Sequence, residues 1–112
     1  MGNYFILVNF DTREYIRFLG YSKEMEIIAN VITSQMVAYF LFNNNGKKIY
    51  FVGDQWNVGG VFANFDETVQ NFKDVTYEIL QEMLDDNYIE YEKLKQFASW
   101  DKDILKLNSK EG

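Results

Sequence analysis

The chain has 112 residues, 47% hydrophobic and 25% charged, with eight Tyr, ten Phe and two Trp but neither His nor Cys. Such a length and aromatic load describe one domain that can bury a core unaided, since each ring removes roughly 150–250 Å² from water; the missing residue types exclude disulfides, thiolate nucleophiles, imidazole acid–base chemistry and the commonest zinc sites. The net charge of −6 is lopsided, with five acids and five bases in residues 1–60 but twelve acids against six lysines in residues 61–112, a balance that argues against direct nucleic-acid binding.

The N-terminal MGNYFILVNF lacks the basic n-region of a signal peptide, and Ile6 stands where a myristoylation signal wants Ser or Thr. No apolar run approaches the roughly 18 residues of a membrane helix. A soluble, cytoplasmic protein with no lipid anchor and no membrane contact is expected. NYFILVNF (3–10) reads as a strand with Tyr4, Ile6, Val8 and Phe10 on one face and Phe5 and Leu7 on the other, so it is expected to be central or covered on both sides. EYIRFL (14–19) reads as its hairpin partner across Asp11-Thr12-Arg13.

Gly20-Tyr21 breaks that pattern, and Ser22 is placed to cap a helix. Met25, Ile28, Ala29, Ile32, Met36 and Tyr39 recur at helical spacing, which predicts one helix from about 22 through the mid-30s. MVAYFLF (36–42) is rich enough in β-formers to be a strand, and Thr33-Ser34 offers a point for a second helix to start; the persistence of the period favours helical continuation. Asn43-Asn44-Asn45-Gly46 is a turn, KIYFVGD (48–54) a third strand, Asp54 to Gly60 a loop, and Val61 to Phe65 a candidate fourth strand. Val69, Phe72, Thr76, Ile79, Leu80, Met83 and Leu84 then form an apolar stripe, predicting a helix over 74–85, with a start near 67 left open and Asp66 or Asp74 as N-cap. Beyond it, Leu94, Phe97 and Trp100 suggest a helical turn or two on the body, and Ile104 to Leu107 an edge strand or a loosely packed segment. Together these predict a small single α+β domain over 1–107, built from an N-terminal β-hairpin plus one or two further strands in a mostly antiparallel sheet with two to three packed helices. Residues 108–112 are expected to be a frayed tail.

Met1-Gly2-Asn3-Tyr4-Phe5 through Val8-Asn9, Glu14-Tyr15-Ile16, the Val52-Gly53-Asp54 strand exit and Asn71-Phe72-Lys73-Asp74-Val75 resemble a family of small uncharacterised proteins beginning M-G-x-Y-aromatic-x-x-V-N. The resemblance spans residues 1–85 and implies one coherent fold, with no activity attached. The family's members carry a longer, glycine-rich middle, from which the compact 43–66 region departs.

The stretch DVTYEILQEMLDDNYIE (74–90) carries Asp74, Glu78, Glu82, Asp86 and Glu90 at every fourth position, with Asp85 beside them. Like charges four apart on a helix cost a few tenths of a kcal/mol per pair, and acids at its C-terminal end oppose the helix dipole by about 0.3–1 kcal/mol each. No lysine lies between Lys73 and Lys93 to relieve them. The ladder is either a solvated face or a ridge that docks on a basic surface of a macromolecule. Trp56, in the loop GDQWNVGG, is either a cover over the core edge or an aromatic anchor for the same partner. That loop fits neither a dinucleotide fingerprint nor a phosphate loop.

Asp85-Asp86-Asn87 and Asp101-Lys102-Asp103 offer oxygen ligands but match no calcium loop, so no metal and no cofactor are expected. Ser22, Ser34, Ser99 and Ser109 have no His to activate them, which leaves paired carboxylates, such as Asp54 with Glu14, for acid–base work. The leading expectation is a non-catalytic acidic interaction protein that binds a basic protein, of the character of immunity proteins and phage-encoded anti-defence inhibitors directed at a nuclease or toxin. The alternative is a small-molecule or carboxylate-metal domain, hydrolytic or not, with a cleft near Asp54 and Trp56. A third reading makes the aromatic surplus a homodimer interface.

Overall fold

In the computed structural model of the protein, which describes residues 4–54 and 65–107, the first apolar run becomes β1 (Phe5–Asn9), buried at every position. Two antiparallel neighbours flank it: β2 (Glu14–Ile16), with Leu7 opposite Ile16, and β3 (Ile49–Gly53), with Phe5 opposite Gly53. The two-residue β4 (Lys73–Asp74) runs parallel to β2, so the order is β3-β1-β2-β4 and the sheet is mixed at one edge. Asn9 closes the hairpin. Fully buried, its Oδ1 accepts the N–H groups of Asp11 (2.9 Å) and Thr12 (3.0 Å), and the chain turns back with Arg13 at φ 60°.

The second strand is shorter than the expected 14–19 because the Arg17 N–H leaves the ladder and donates to Thr76 Oγ1 at 2.8 Å. Phe18 and Leu19 then turn inward and are buried. Alternation along β1 sends its side chains to separate apolar clusters, as its two apolar faces require. Phe5 and Leu7 join Ile16, Phe18, Met36, Phe40, Leu80 and Met83 in the larger one. Ile6 and Val8 join Tyr15 and Val52 in the smaller one, closed by Phe10, Phe65 and Phe72. Full burial of each such side chain contributes about 1.5–3 kcal/mol, so the larger cluster dominates the stability.

The helical stripe is interrupted. In place of one helix there are α1 (Glu24–Ala29) and α2 (Val31–Asn43), separated at Asn30, which is extended at φ −95°, ψ 130°. The Asn30 side chain accepts the Ile32 N–H at 2.9 Å and so caps α2. Residues 36–42 are helical, as the period indicated. Ser22 is not a cap: α1 starts from Lys23, and the Ser22 carbonyl instead accepts the Phe5 N–H at 2.9 Å, extending the sheet.

The second half holds α3 (Phe65–Asn71), α4 (Thr76–Asp85), α5 (Tyr91–Phe97) and α6 (Lys102–Leu105). A start of α4 near 67 is overturned because α3 ends at Asn71 and β4 intervenes. Phe65 opens α3, and the rest of the candidate strand at Val61 to Phe65 lies outside the described residues, as does the tail 108–112. Residues 102–105 form a helical turn in place of an edge strand, with Ile104 buried. Leu94 is buried as expected, while Trp100 stands 62% exposed over Gly20, whose φ of +88° suits glycine.

Candidate functional site

The ladder from Asp74 to Glu90 is not one ridge, because only its middle lies on α4. Asp74 precedes the helix in β4, where its Oδ2 accepts Arg17 Nε at 2.5 Å. Its Oδ1 accepts the Thr76 N–H at 2.9 Å and the Thr76 hydroxyl at 2.5 Å, tying the start of α4 to the sheet. Burial tends to lower the Arg17 pKa, but side-chain hydrogen bonds to Tyr77 and Asp74 outweigh it and hold the guanidinium above its ordinary range. Glu90 lies beyond α4, after Asn87 reverses the chain at φ 57°; it begins α5 and faces Lys93 at 3.6 Å.

On α4 the remaining acids differ in what they touch. Glu78 meets Lys73 at 3.3 Å across an exposed surface, a pairing worth little in water. The Asp85 carboxylate accepts Gln81 Nε2 at 3.0 Å, and Asp86, which caps the helix, accepts the Tyr39 hydroxyl at 2.5 Å. Burial first, and then that bond and the nearby charges of Asp86 and Glu82, push the Tyr39 hydroxyl up to about 12. Glu82 is exposed and makes no ion pair among the described residues.

Glu78 and Glu82 border a cleft of about 240 Å³ between α2, α4 and the edge of the sheet, and Glu14 of β2 joins them. Its lining also includes the apolar Phe40, Val75 and Ile79, and the amides of Asn43 and Asn44. Those amides are held by the end of α2: Asn43 Nδ2 donates to the Tyr39 carbonyl at 3.1 Å and Asn44 Nδ2 to the Phe40 carbonyl at 2.7 Å. Asn44 Oδ1 also accepts Asn9 Nδ2 at 2.8 Å, which fixes this helix end to the hairpin. The C-terminus of α2, with no basic residue in its last turn, adds to the negative potential there, while the N-terminus of α4 partly offsets it. Phe40, Val75 and Ile79 are themselves buried, so the cleft presents chiefly polar surface, and its three carboxylates suit a cationic group such as a lysine or arginine head.

Phe42, 79% exposed, stands on α2 about 200° around the helix from the cleft residues Phe40 and Asn44. The run MVAYFLF could not reveal it, because every position there is apolar and the pattern does not say which ring is left outside. Glu14 was missed as a neighbour of Glu78 and Glu82 for a similar reason: the parallel pairing of β2 with β4, which places Glu14 opposite Lys73, joins distant segments.

Trp56 lies outside the described residues. Asp54 and Glu14 do not form a pair. Asp54 follows Gly53, which is opposite Phe5, whereas Glu14 is opposite Asn9, at the other end of β1. The Asp54 carboxylate accepts the Tyr4 N–H at 2.9 Å, and Asp101 caps α6 by accepting from Asp103 N at 2.9 Å. Among the described residues no three acidic side chains come close enough to hold a metal ion together.

No family model, curated protein or solved structure matches the chain. The resemblance to small proteins beginning M-G-x-Y-aromatic-x-x-V-N therefore rests on the short motifs alone. Among the described residues no helix is long and apolar enough to cross a membrane.

Proposed function

We propose that the protein is a non-catalytic interaction protein whose acidic face, built on α4 and the end of α2, occupies a basic surface of a protein partner. The observation that carries this reading is the cleft that brings Glu14, Glu78 and Glu82 together from β2 and α4. A lysine or arginine of the partner places its charge among the carboxylates. Glu82 and Asp85 steer the approach of a basic surface, while Asp74 and Asp86 hold the platform through Arg17, Thr76 and Tyr39. Immunity proteins and phage-encoded inhibitors of nucleases share this physical character, small and acidic and directed at a surface that otherwise meets phosphate. The analogy is one of charge and size and names no partner.

The test is affinity capture from extracts of the native host with the wild-type chain and the double variant Glu78→Lys/Glu82→Lys, at low and high salt. The expected result is one specific partner that the charge reversal abolishes and that high salt releases. An identical set of captured proteins for wild type and the charge-reversed chain would leave the acidic face as a solvated surface and refute the proposal.

A further inference from the structure

Asn43-Asn44-Asn45-Gly46 joins α2 to β3, and its three asparagines are held very differently. The amides of Asn43 and Asn44 are occupied: each Nδ2 donates to a carbonyl in the last turn of α2, and Asn44 Oδ1 also accepts from Asn9. Asn45 is exposed, and among the described residues its side chain makes no hydrogen bond. Gly46 follows it at φ +83°, and the Lys47 N–H donates to the Asn44 carbonyl at 3.0 Å across the pair. Asn45 and Gly46 are thus the central residues of a β-turn, and the bond that closes such a turn leaves their own N–H groups unused. The Gly46 N–H has no partner among the described residues, and nothing lies within 4 Å of where a Cβ on Gly46 would stand.

We propose that Asn45 is a site of spontaneous covalent modification, at which the main-chain nitrogen of Gly46 turns the side-chain amide into a carboxylate. The two reacting groups belong to adjacent residues, so the step is intramolecular and needs no second molecule to be brought up. The Gly46 nitrogen gives its proton to hydroxide and forms a bond to Asn45 Cγ. The bond from Cγ to Nδ2 breaks, that nitrogen leaves as ammonia, and a succinimide ring closes. Water then opens the ring. Addition at Cγ restores the chain with aspartate, and addition at the main-chain carbonyl gives isoaspartate, in which the chain runs on through Cγ. One water is consumed and one ammonia released, with nothing oxidised or reduced. Lys47 and Lys48 follow directly, and positive charge nearby favours the anionic nitrogen.

The neighbouring asparagines are protected by the same criteria. Each is followed by another asparagine, whose side chain crowds the attacking nitrogen, and the Asn44 N–H is already donated to the Leu41 carbonyl at 3.3 Å. The new carboxylate stands one residue beyond Asn44, which lines the acidic cleft, and it adds to the net charge of −6. Isoaspartate also lengthens the main chain just before Lys48, whose N–H binds Asp11 Oδ2 at 2.8 Å and whose carbonyl accepts the Phe10 N–H at 2.9 Å. An old molecule is therefore more acidic at this turn than a newly made one. The inference does not depend on the function proposed for the acidic face, since it is read by mass and not by binding.

The test is incubation of the full chain at mildly alkaline pH, followed by trypsin digestion, which releases residues 24–47 as one peptide, and by fragmentation in a mass spectrometer. The expected result is a gain of about 1 Da that grows with time at Asn45, in two product peptides of equal mass that separate by chromatography. Asn43 and Asn44 in the same peptide should convert at least about tenfold more slowly, because their amides must first give up a hydrogen bond. Asn45→Gln, in an exposed turn, should keep the peptide at its original mass with an unchanged circular dichroism spectrum. An Asn45 that stays intact, conversion of Asn43 or Asn44 at the same rate, or aspartate as the single product, which would mean direct attack by water, would overturn the inference.

Discussion

Replacing Asp74 by Ala separates the acid that holds the fold from the acids that face water. The substitution removes the charge-assisted bond to Arg17 Nε, at 2.5 Å between side chains 39% and 30% exposed. Such a bond contributes about 1.5–3 kcal/mol when shielded, and partial exposure places this one at or below the lower end. It also removes the acceptor for the Thr76 N–H at 2.9 Å, which by analogy with N-cap losses costs about 1 kcal/mol. The buried Thr76 hydroxyl loses its acceptor too, though its oxygen still takes the Arg17 N–H at 2.8 Å. The expected destabilisation of Asp74→Ala is about 2–3 kcal/mol, with Asp74→Asn intermediate because an amide oxygen can still accept from Thr76. Glu82→Gln should change stability by no more than about 0.5 kcal/mol, since it removes a surface charge from an acidic helix. Urea unfolding at neutral pH reads both: with a slope of about 1–3 kcal/mol per molar, Asp74→Ala shifts the midpoint by about 1 M or more and Glu82→Gln leaves it nearly in place. An Asp74→Ala midpoint indistinguishable from wild type, or a Glu82→Gln loss as large as that of Asp74→Ala, would refute the division of the ladder into structural and free acids.

Three further outcomes follow from the same geometry. Because the folded state holds the Tyr39 proton up to about 12 against an ordinary value of 10.0, stabilisation from this residue is complete below pH 10 and is lost as pH rises towards 12; Tyr39→Phe should flatten that part of a melting-temperature profile, and an unaltered slope would contradict the assignment. Gly53→Ala should cost about 1–3 kcal/mol in thermal unfolding, because the new Cβ would stand 3.1 Å from Cε1 of the buried Phe5 ring. Asp101, 8% exposed, accepts from the Tyr77 hydroxyl at 2.7 Å and from Asp103 N at 2.9 Å; Asp101→Ala should cost about 2–3 kcal/mol and expose Lys102 and Lys106 to limited trypsin digestion, whereas a cleavage pattern like the wild type's would show that α6 is held by packing alone.

The sheet was legible where local pattern and burial agree. β1 alternates apolar side chains on both faces, and both faces are in fact covered, so its central place could be read from eight residues. The hairpin and the helical state of residues 36–42 were legible for the same reason. The stripe from Met25 to Tyr39 kept a perfect helical period and still misled, because Asn30, Thr33 and Ser34 offer the backbone hydrogen bonds that compete with a continuous helix. Regular spacing likewise made Asp74 look like the first rung of a helix. Its partner Arg17 lies in the other half of the chain, and no local signal announces a bond across that distance. The cleft was illegible as a unit, since Glu14, Asn43 and Glu78 come from three separate elements that only the packing of α2 and α4 on the sheet edge brings together.

The pairing of β1 with β3, register Phe5 to Gly53, carries a consequence for synthesis. Four of the five residues of β1, Phe5 to Val8, are apolar, yet its longest ladder cannot close until the segment Ile49–Gly53, about forty residues further on, has been made. At roughly 5–20 residues per second that is an interval of seconds, far longer than the microseconds a hairpin needs to form. During it the short β2 can shield only one flank of β1, and the nascent chain offers a sticky edge to chaperones and to neighbouring chains.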